Sequence, residues 1–293
     1  MKTLKQYIGN ITNESLLDDE DVLSDPVRDI NIVKEFLSLT YDLDENDYEI
    51  IKAPPKSKVI YIVNIPNDEY YLDVQRKDIK HLTNGMFEFG TVAGPMEIMN
   101  CPNLESLEGC PREVGRWIEV VDCPNLKSLE YSPYIVRESY TITKCNNIKK
   151  LDGFTLNTQL ICLNDLNNLE SLDGLEKLKR PSSVEINKCP KIKNLKGLPR
   201  TMWNFSCNFC DDLESLEGAP KTCNTFEVSF CNKIESLQGG PVSVKLSYRC
   251  RGCNLKTLDY CPDKVGKVFD CRHNPELFVN PYYIEKFGKQ LFY

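Results

Sequence analysis

A sequence repeat of about 22 residues recurs along most of this chain and constrains the fold more than any other feature. It begins at Cys101 with Cys-Pro-Asn-Leu-Glu-Ser-Leu-Glu-Gly. Later copies begin at Cys123, Cys145, Leu166, Cys189, Cys210 and Cys231, at intervals of 22, 22, 21, 23, 21 and 21 residues. One repeat is too short to bury its own apolar residues, so the pattern predicts a solenoid in which stacked repeats bury them together.

Each repeat has the same internal plan. Before the Cys, segments such as Ser183-Val-Glu-Ile-Asn-Lys188 alternate apolar and polar residues, which predicts a half-buried strand. After the Cys come an apolar Leu-x-x-Leu return and a Gly-x-Pro corner such as Gly197 to Pro199. Around Cys250 the strand falls out of phase although the Pro spacing holds, which predicts a bulge or an altered turn. The last repeat, taken to end its strand at Cys271, reads as abbreviated.

The order strand, Cys, Leu-x-x-Leu resembles the leucine-rich-repeat family, in a short bacterial-type variant with Cys where Asn is usual. The motif Leu-x-Ser-Leu-x-Gly-x-Pro is similar to the motif of cysteine-containing repeat proteins of bacteriophages and some bacteria, most of which have unknown function. The resemblance covers residues 76–280. It implies an α/β-type repeat solenoid of about nine 21–22-residue repeats, with one parallel sheet and little helix except in the caps.

The ends of the chain differ from the repeats and divide it into four segments. We expect a flexible acidic leader at 1–24, an α+β cap at 25–75, the solenoid at 76–280 and a C-terminal cap helix at 281–293. In the first cap, residues 25–40 predict an amphipathic helix with Asp25 as N-cap and Pro26 as its first residue. Residues 59–63 and 70–74 predict two strands.

Composition and the first residues bear on location and partners. The net charge of −7 argues against nucleic-acid and anionic-membrane partners, which select Lys and Arg. Residues 1–24 lack the apolar core of a signal peptide and are interpreted either as a disordered tail or as a docking tag. We expect a cytoplasmic protein, in the host cytoplasm or the virion if it is phage-encoded, with its 14 cysteines as thiols.

Catalytic and metal-binding patterns are weak. His81 and His273, the two histidines, fall at opposite ends of the solenoid, and no Gly-rich phosphate loop occurs. The pairs Cys207-x-x-Cys210 and Cys250-x-x-Cys253 lie two coils apart, about 10 Å at the usual strand spacing. That distance is too long for one zinc ion, whose bonds to sulfur are about 2.3 Å. We therefore expect no metal, no cofactor and no enzymatic activity.

The outward side chains of the strands are the candidate binding residues. They lie two, four and six positions before each Cys, with further aromatic residues at the edges. These outward positions, counted from repeat to repeat as far as the strand that contains Glu227, include four carboxylates and no Lys or Arg. This composition predicts a partner protein whose surface is rich in Lys or Arg. The candidate residues are Glu97, Trp117, Glu119, Thr141, Asn164, Glu185, Asn187, Trp203, Ser206, Asn208, Glu227, Ser229 and Phe230.

Other functions stay open at this point. A virion-associated structural protein would stack the solenoid into a particle. A glycan-binding solenoid would use Trp117 with the Asn, Thr and Ser rows.

Overall fold

The computed structural model of the chain describes residues 29–75, 77, 79–154, 157–178 and 183–293. The predicted leader at 1–24, with Asp25 and Pro26, lies outside the described residues. The described chain is a parallel β-solenoid of about ten turns with a period of about 22 residues and little helix. The predicted repeat solenoid and its long parallel sheet are thereby confirmed.

The strands are short and recur once or twice in each turn. In chain order they are β1 Glu49–Lys52, β2 Tyr61–Ile65, β3 Leu72–Gln75, β4 Glu88–Val92, β5 Met96–Met99, β6 Glu113–Val114, β7 Ile118–Val121, β8 Ile135–Val136, β9 Ser139–Thr143, β10 Leu160–Asn164, β11 Ser183–Asn187, β12 Asn204–Asn208, β13 Thr222–Ser229, β14 Ser243–Arg249, β15 Lys264–Val265, β16 Val268–Asp270 and β17 Leu291–Phe292. Short 3₁₀ segments occupy Leu175–Lys177 and Gly288–Gln290.

These strands form two sheets where the sequence predicted one. The long sheet runs β17-β16-β14-β13-β12-β11-β10-β9-β7-β5-β3, all parallel, and β15 adds to β14. A second sheet of five strands, β1-β2-β4-β6-β8, covers the N-terminal turns. Its strand β1 is antiparallel to β2, and its other pairs are parallel. The sequence did not reveal this sheet because β6 and β8 are two residues each, too short to show a period.

The cap helix α1 spans Ile30–Tyr41 and begins later than predicted. Its N-cap is Asp29, whose carboxylate accepts a hydrogen bond from the amide of Asn31. The inward face contains Val33, Phe36, Leu37 and Tyr41, close to the face the periodicity predicts. The two predicted strands are β2 and β3, each starting two residues later than expected.

A column of cysteines lines the turn at the end of each strand, inside the solenoid. Cys101, Cys123, Cys145, Cys189, Cys210 and Cys231 are completely buried. The thiol of Cys189 lies 3.6 Å from the carbonyl oxygen of Leu163, in the previous coil, and 3.6 Å from that of Asn187. A small thiol suits this place because it packs as an apolar group and still donates weakly to the turn.

Asn274 takes the place of the Cys in the last turn. Because Arg249 pairs with Asp270 in register, Asn274 corresponds to Cys253 and Cys271 to Cys250. The amide of Asn274 donates to the carbonyl oxygens of Cys250 and Cys271, at 2.9 and 2.8 Å. The last repeat is therefore complete, and its abbreviated appearance in the sequence was wrong, because Cys271 was counted as the turn residue.

The corners and ends of the solenoid follow the predicted chemistry. Gly218 has a φ of +94°, and a Cβ there would lie 2.4 Å from the carbonyl carbon of Leu195 in the preceding coil. The predicted bulge is present, since β13 and β14 shift register between Cys223 and Thr225. The C-terminal helix α2 spans Pro281–Phe287, with Asn280 as its N-cap. It starts at the predicted residue but ends six residues earlier than the predicted 281–293, and the chain then adds β17 to the long sheet.

Candidate functional site

The outward residues of the long sheet form straight columns across the strands, and we call this surface the strand face. The central column contains most of the predicted carboxylates, and its members are Cα partners in successive strand pairs. The column reads Asp73, Glu97, Glu119, Thr141, Cys162, Glu185, Ser206, Glu227, Arg249 and Asp270. The structure thus brings Glu97, Glu119, Thr141, Glu185, Ser206 and Glu227 into one line.

The N-terminal end of this column is acidic. Asp73, Glu97 and Glu119 lie on three adjacent strands, and Glu97 is only 9% exposed. Within the described ranges, no Lys or Arg nitrogen lies within 4 Å of these carboxylates. Burial raises the pKa of Glu119, and the charge of Glu97 raises it further. These carboxylates therefore repel one another without a basic neighbour among the described residues.

Two aromatic rings border the acidic residues. Trp117 precedes β7, and its ring meets that of Tyr71 edge to face with a centroid distance of 5.4 Å. The Tyr71 pKa is raised by burial and by a hydrogen bond to Glu97. The amide of Gln75 also donates to Glu97, at 3.4 Å. We call Tyr71, Asp73, Glu97, Trp117 and Glu119 the acidic end.

Tyr71 and Asp73 were missed by the sequence reasoning. Counting back from a Cys found the outward positions, and no Cys follows β3 at the required distance. A usable signal existed in Tyr70-Tyr-Leu-Asp-Val74, whose alternation predicts a strand with Tyr71 and Asp73 on one side. Only the pairing of β3 with β5 shows that this side continues the strand face.

The middle of the face is polar and less charged. Thr141, Cys162 and Ser206 are half-buried, and the thiol of Cys162 lies 3.9 Å from a carboxylate oxygen of Glu185. Burial and the charge of Glu185 raise the pKa of Cys162 to about 11. Beside this column runs a row of amides, Asn164, Asn187 and Asn208, on three successive strands.

Ser229, next in the row of amides, is almost completely buried. Its backbone amide donates to the side chain of Asn208 at 3.1 Å, and its hydroxyl donates to Glu227 at 3.3 Å. Its side chain is therefore covered by its own face and is the least accessible of the predicted residues.

The C-terminal end of the face is rich in arginine. A carboxylate oxygen of Glu227 lies 3.5 Å from a guanidinium nitrogen of Arg249, and the other lies 3.7 Å from one of Arg251. A carboxylate oxygen of Asp270 lies 2.7 Å from a guanidinium nitrogen of Arg272 and 3.8 Å from one of Arg251. We call these five residues the arginine end, in which three guanidinium groups face two carboxylates. The columns counted in the sequence stop at Glu227, and the structure continues the central column to Arg249 and Asp270. The bulge before Arg249 hid its register from a fixed count.

Two exposed phenylalanines lie beside the arginine end. Phe209 and Phe230 stack with a centroid distance of 5.0 Å and an interplanar angle of 5°. Both have left-handed backbone, with φ of 55° and 56°, and the amide of Phe230 donates to the carbonyl oxygen of Arg251. We call this pair the Phe ridge. Trp203, half-exposed, precedes β12 at the opposite edge of the face.

The residues tested for catalysis and metal binding are dispersed. Nδ1 of His81 lies 2.8 Å from the hydroxyl oxygen of Ser106. His273 lies in the turn after β16. Cys207 on β12 pairs with Val228 on β13. The register of β13 with β14 places Cys250 beside Val228 in the following coil. The two Cys-x-x-Cys pairs are therefore two coils apart. Within the described ranges, no group of three His, Cys, Asp or Glu side chains could hold a metal ion.

Comparison with known proteins adds no relative to this description. No protein-family model, curated protein or solved structure matches the chain. Among the described residues, no helix is long and apolar enough to cross a bilayer. The candidate site therefore rests on the geometry of this chain alone.

Proposed function

We propose that this chain is a leucine-rich-repeat protein that acts as a non-catalytic interaction module and binds a partner protein on the strand face. The family assignment is supported by Asn274, whose amide satisfies two carbonyl oxygens from the position that Cys occupies in the other turns. An Asn at this turn is the usual residue of that family. On this proposal the protein is phage-encoded and works in the host cytoplasm or the virion.

The observation that carries the binding proposal is the acidic end. Placing three carboxylates on adjacent strands is unfavourable, since like charges directly opposite destabilise a sheet. A partner that presents Lys or Arg would remove this repulsion and would gain Trp117 and Tyr71 as aromatic contacts. Electrostatic complementarity of this kind favours rapid and specific association.

The test compares capture of partner proteins by the wild-type chain and by a variant with Glu97→Gln, Glu119→Gln and Glu185→Gln. Glutamine keeps the side-chain shape, so the change removes charge from the face while leaving packing intact. The control carries Glu130→Gln, Glu170→Gln and Glu285→Gln, three exposed carboxylates outside the strand-face columns. Both variants first require a wild-type circular dichroism spectrum and melting temperature.

The expected result is one protein, retained by the wild type and the control and lost from the strand-face variant, quantified by mass spectrometry. Purified, that protein should bind the strand-face variant at least about tenfold more weakly, a difference of about 1.4 kcal/mol. Equal capture by all three chains would place the binding site elsewhere and reject the proposal.

A glycan is the second candidate ligand, favoured by one specific feature. Asn164, Asn187 and Asn208 present amides on successive strands, and amides can donate to and accept from the hydroxyl groups of a sugar. A glycan array discriminates between the two ligands. Binding that is lost on Asn187→Ala and unaffected by the Glu→Gln variant would favour the glycan.

A further inference from the structure

The two ends of the strand face carry opposite electrostatic character, and this polarity restricts what can bind. The acidic end has three carboxylates without a described basic neighbour. The arginine end has three guanidinium groups for two carboxylates, and the side chains of Arg249 and Arg251 remain one-third exposed. A uniformly basic ligand would be attracted at one end and repelled at the other.

The distance between the ends sets the length of the ligand. Glu119 on β7 and Arg249 on β14 are separated by six strand-to-strand steps, through β9, β10, β11, β12 and β13. At about 4.8 Å per step the separation is about 29 Å. An extended peptide of about nine residues, at about 3.3 Å each, covers this length.

The Phe ridge adds an apolar contact at the arginine end only. Left-handed backbone is unfavourable for phenylalanine, so these two positions are held by the surrounding turn and by their mutual stacking. Gly252 continues the row, and a Cβ there would lie 2.5 Å from Cδ1 of Phe230. Glycine thus leaves room for the Phe230 ring to lie flat, while Phe209 stays 47% exposed.

We infer that the strand face binds one extended segment of its partner that is bipolar, with Lys or Arg at the acidic end and an apolar side chain next to Asp or Glu at the Phe ridge and arginine end. This inference rests on the proposed function and specifies the chemistry of the partner. Exposed guanidinium groups recognise carboxylates by paired hydrogen bonds, and the Phe ridge supplies the desolvated surface beside them.

The experiment selects binders from a displayed library of random 12-residue peptides on the immobilised full-length chain. Three chains are compared: wild type, an acidic-end variant with Glu97→Gln and Glu119→Gln, and an arginine-end variant with Arg249→Gln, Arg251→Gln and Glu227→Gln. The third substitution in the last variant avoids leaving Glu227 without its partners. Circular dichroism and melting temperature again verify folding, and Phe230→Ala provides a second, milder change at the arginine end.

The wild type should enrich peptides with a basic and an acidic group about nine residues apart, in either chain direction. The acidic-end variant should lose only the basic preference, and the arginine-end variant only the acidic one. A synthetic wild-type consensus peptide should bind each variant at least tenfold more weakly by fluorescence anisotropy. Phe230→Ala should weaken the same peptide and leave the basic preference unchanged.

The other outcomes separate this inference from the proposed function. Enrichment of purely basic peptides, unaffected by the arginine-end variant, would overturn the bipolar segment and leave the protein-binding face standing. Enrichment that ignores both variants would reject both. No enrichment from the wild type would overturn the bipolar segment, and the capture experiment would then decide the proposed function separately. Binding of glycans in place of peptides would also reject both.

Discussion

The hydroxyl of Tyr140 lies 3.1 Å from the hydroxyl of Ser132, eight residues earlier, inside the solenoid. Tyr248 occupies the same inward column as Tyr140, five coils later. The residues between them in this column are Ile161, Val184, Phe205 and Phe226. Eight residues before Tyr248 is Gly240, and within the described part of the chain the buried Tyr248 hydroxyl has no hydrogen-bond partner. An unpaired buried hydroxyl costs free energy of folding, so one repeat satisfies a tyrosine that another leaves unsatisfied.

Gly240→Ser should therefore stabilise the protein. A Cβ at Gly240 would lie 3.5 Å from the Tyr248 hydroxyl, close enough for the serine oxygen to pair with it. It would also lie 3.0 Å from the carbonyl oxygen of Leu237 and 3.3 Å from Cδ1 of Leu216, so these neighbours must shift slightly. Ser132, Ala219 and Cys261 carry a Cβ at the corresponding corner, so the fold accommodates one there. The free energy of unfolding, measured by denaturant titration, should rise by about 1 kcal/mol.

Two controls isolate this hydrogen bond. Gly240→Ala reports the effect of the Cβ itself, through chain entropy and through its contacts with Leu237 and Leu216. In a Tyr248→Phe background, serine should have no advantage over alanine. An equal gain from alanine and serine in the wild-type background would show that the hydroxyls do not pair.

Gly218→Ala should destabilise the protein severely. Its φ of +94° disfavours any side chain, and its Cβ would lie 2.4 Å from the carbonyl carbon and oxygen of Leu195. Gly85, with φ of +70° and nothing within 4 Å of an added Cβ, is the matched control. We expect a loss of about 1–2 kcal/mol for Gly85→Ala from backbone strain and at least about twice as much for Gly218→Ala. The losses are measured by thermal and denaturant unfolding. If the two variants lose the same free energy of unfolding, the clash between coils is contradicted.

Glu119→Gln should stabilise the free protein at neutral pH. Folding raises the Glu119 pKa above its ordinary value of 4.5, so between the two values the folded chain binds more protons than the unfolded chain. The stability contributed by this group is present below the unfolded pKa and is lost as pH rises through the folded pKa. The variant should unfold at higher denaturant than wild type at pH 7 and at the same concentration near pH 4.

A suitable control for this pH dependence is Glu185→Gln, on the same face but without an adjacent carboxylate in its column. A constant difference between Glu119→Gln and wild type across the pH range would indicate that the Glu119 ionisation is not coupled to folding.

Alkylation of Cys162 should report on the charge of the strand face. Burial and the neighbouring Glu185 raise the pKa of Cys162 to about 11, so little of the reactive thiolate exists at pH 8. Glu185→Gln lowers that pKa, and we expect iodoacetamide to modify Cys162 several-fold faster, measured by peptide mass spectrometry. Cys261, half-buried at a corner outside the strand face and with its pKa also raised to about 11 by burial, should keep its rate. An unchanged Cys162 rate would show that Glu185 does not act on the thiol.

Bound partner should protect the same thiol. Cys162 lies at the centre of the central column, between Thr141 and Glu185, so a ligand that spans the strand face covers it. With the selected peptide at saturation, alkylation of Cys162 should slow while that of Cys261 does not. Undiminished alkylation in the saturated complex would place the ligand away from the middle of the face.

Much of the fold follows from the sequence because the interactions that define it are repeated. A period of about 22 residues with strand alternation before each Cys determines that the coils stack and that the Cys side chains point inward. The same alternation places Glu119 and Glu185 outward, where the structure has them in one column. Each of these conclusions needs only local pattern and the requirement to bury apolar surface.

The polarity of the candidate site was decided by contacts between distant parts of the chain. The pairing of β3 with β5 brings Asp73 beside Glu97, and a one-residue register shift brings Arg249 beside Glu227. Strand register depends on the geometry of bulges and turns and on packing between coils, which no single repeat contains. The sequence by itself therefore determined the solenoid and its outward side chains, whereas only the tertiary structure decided which charges meet across the strands.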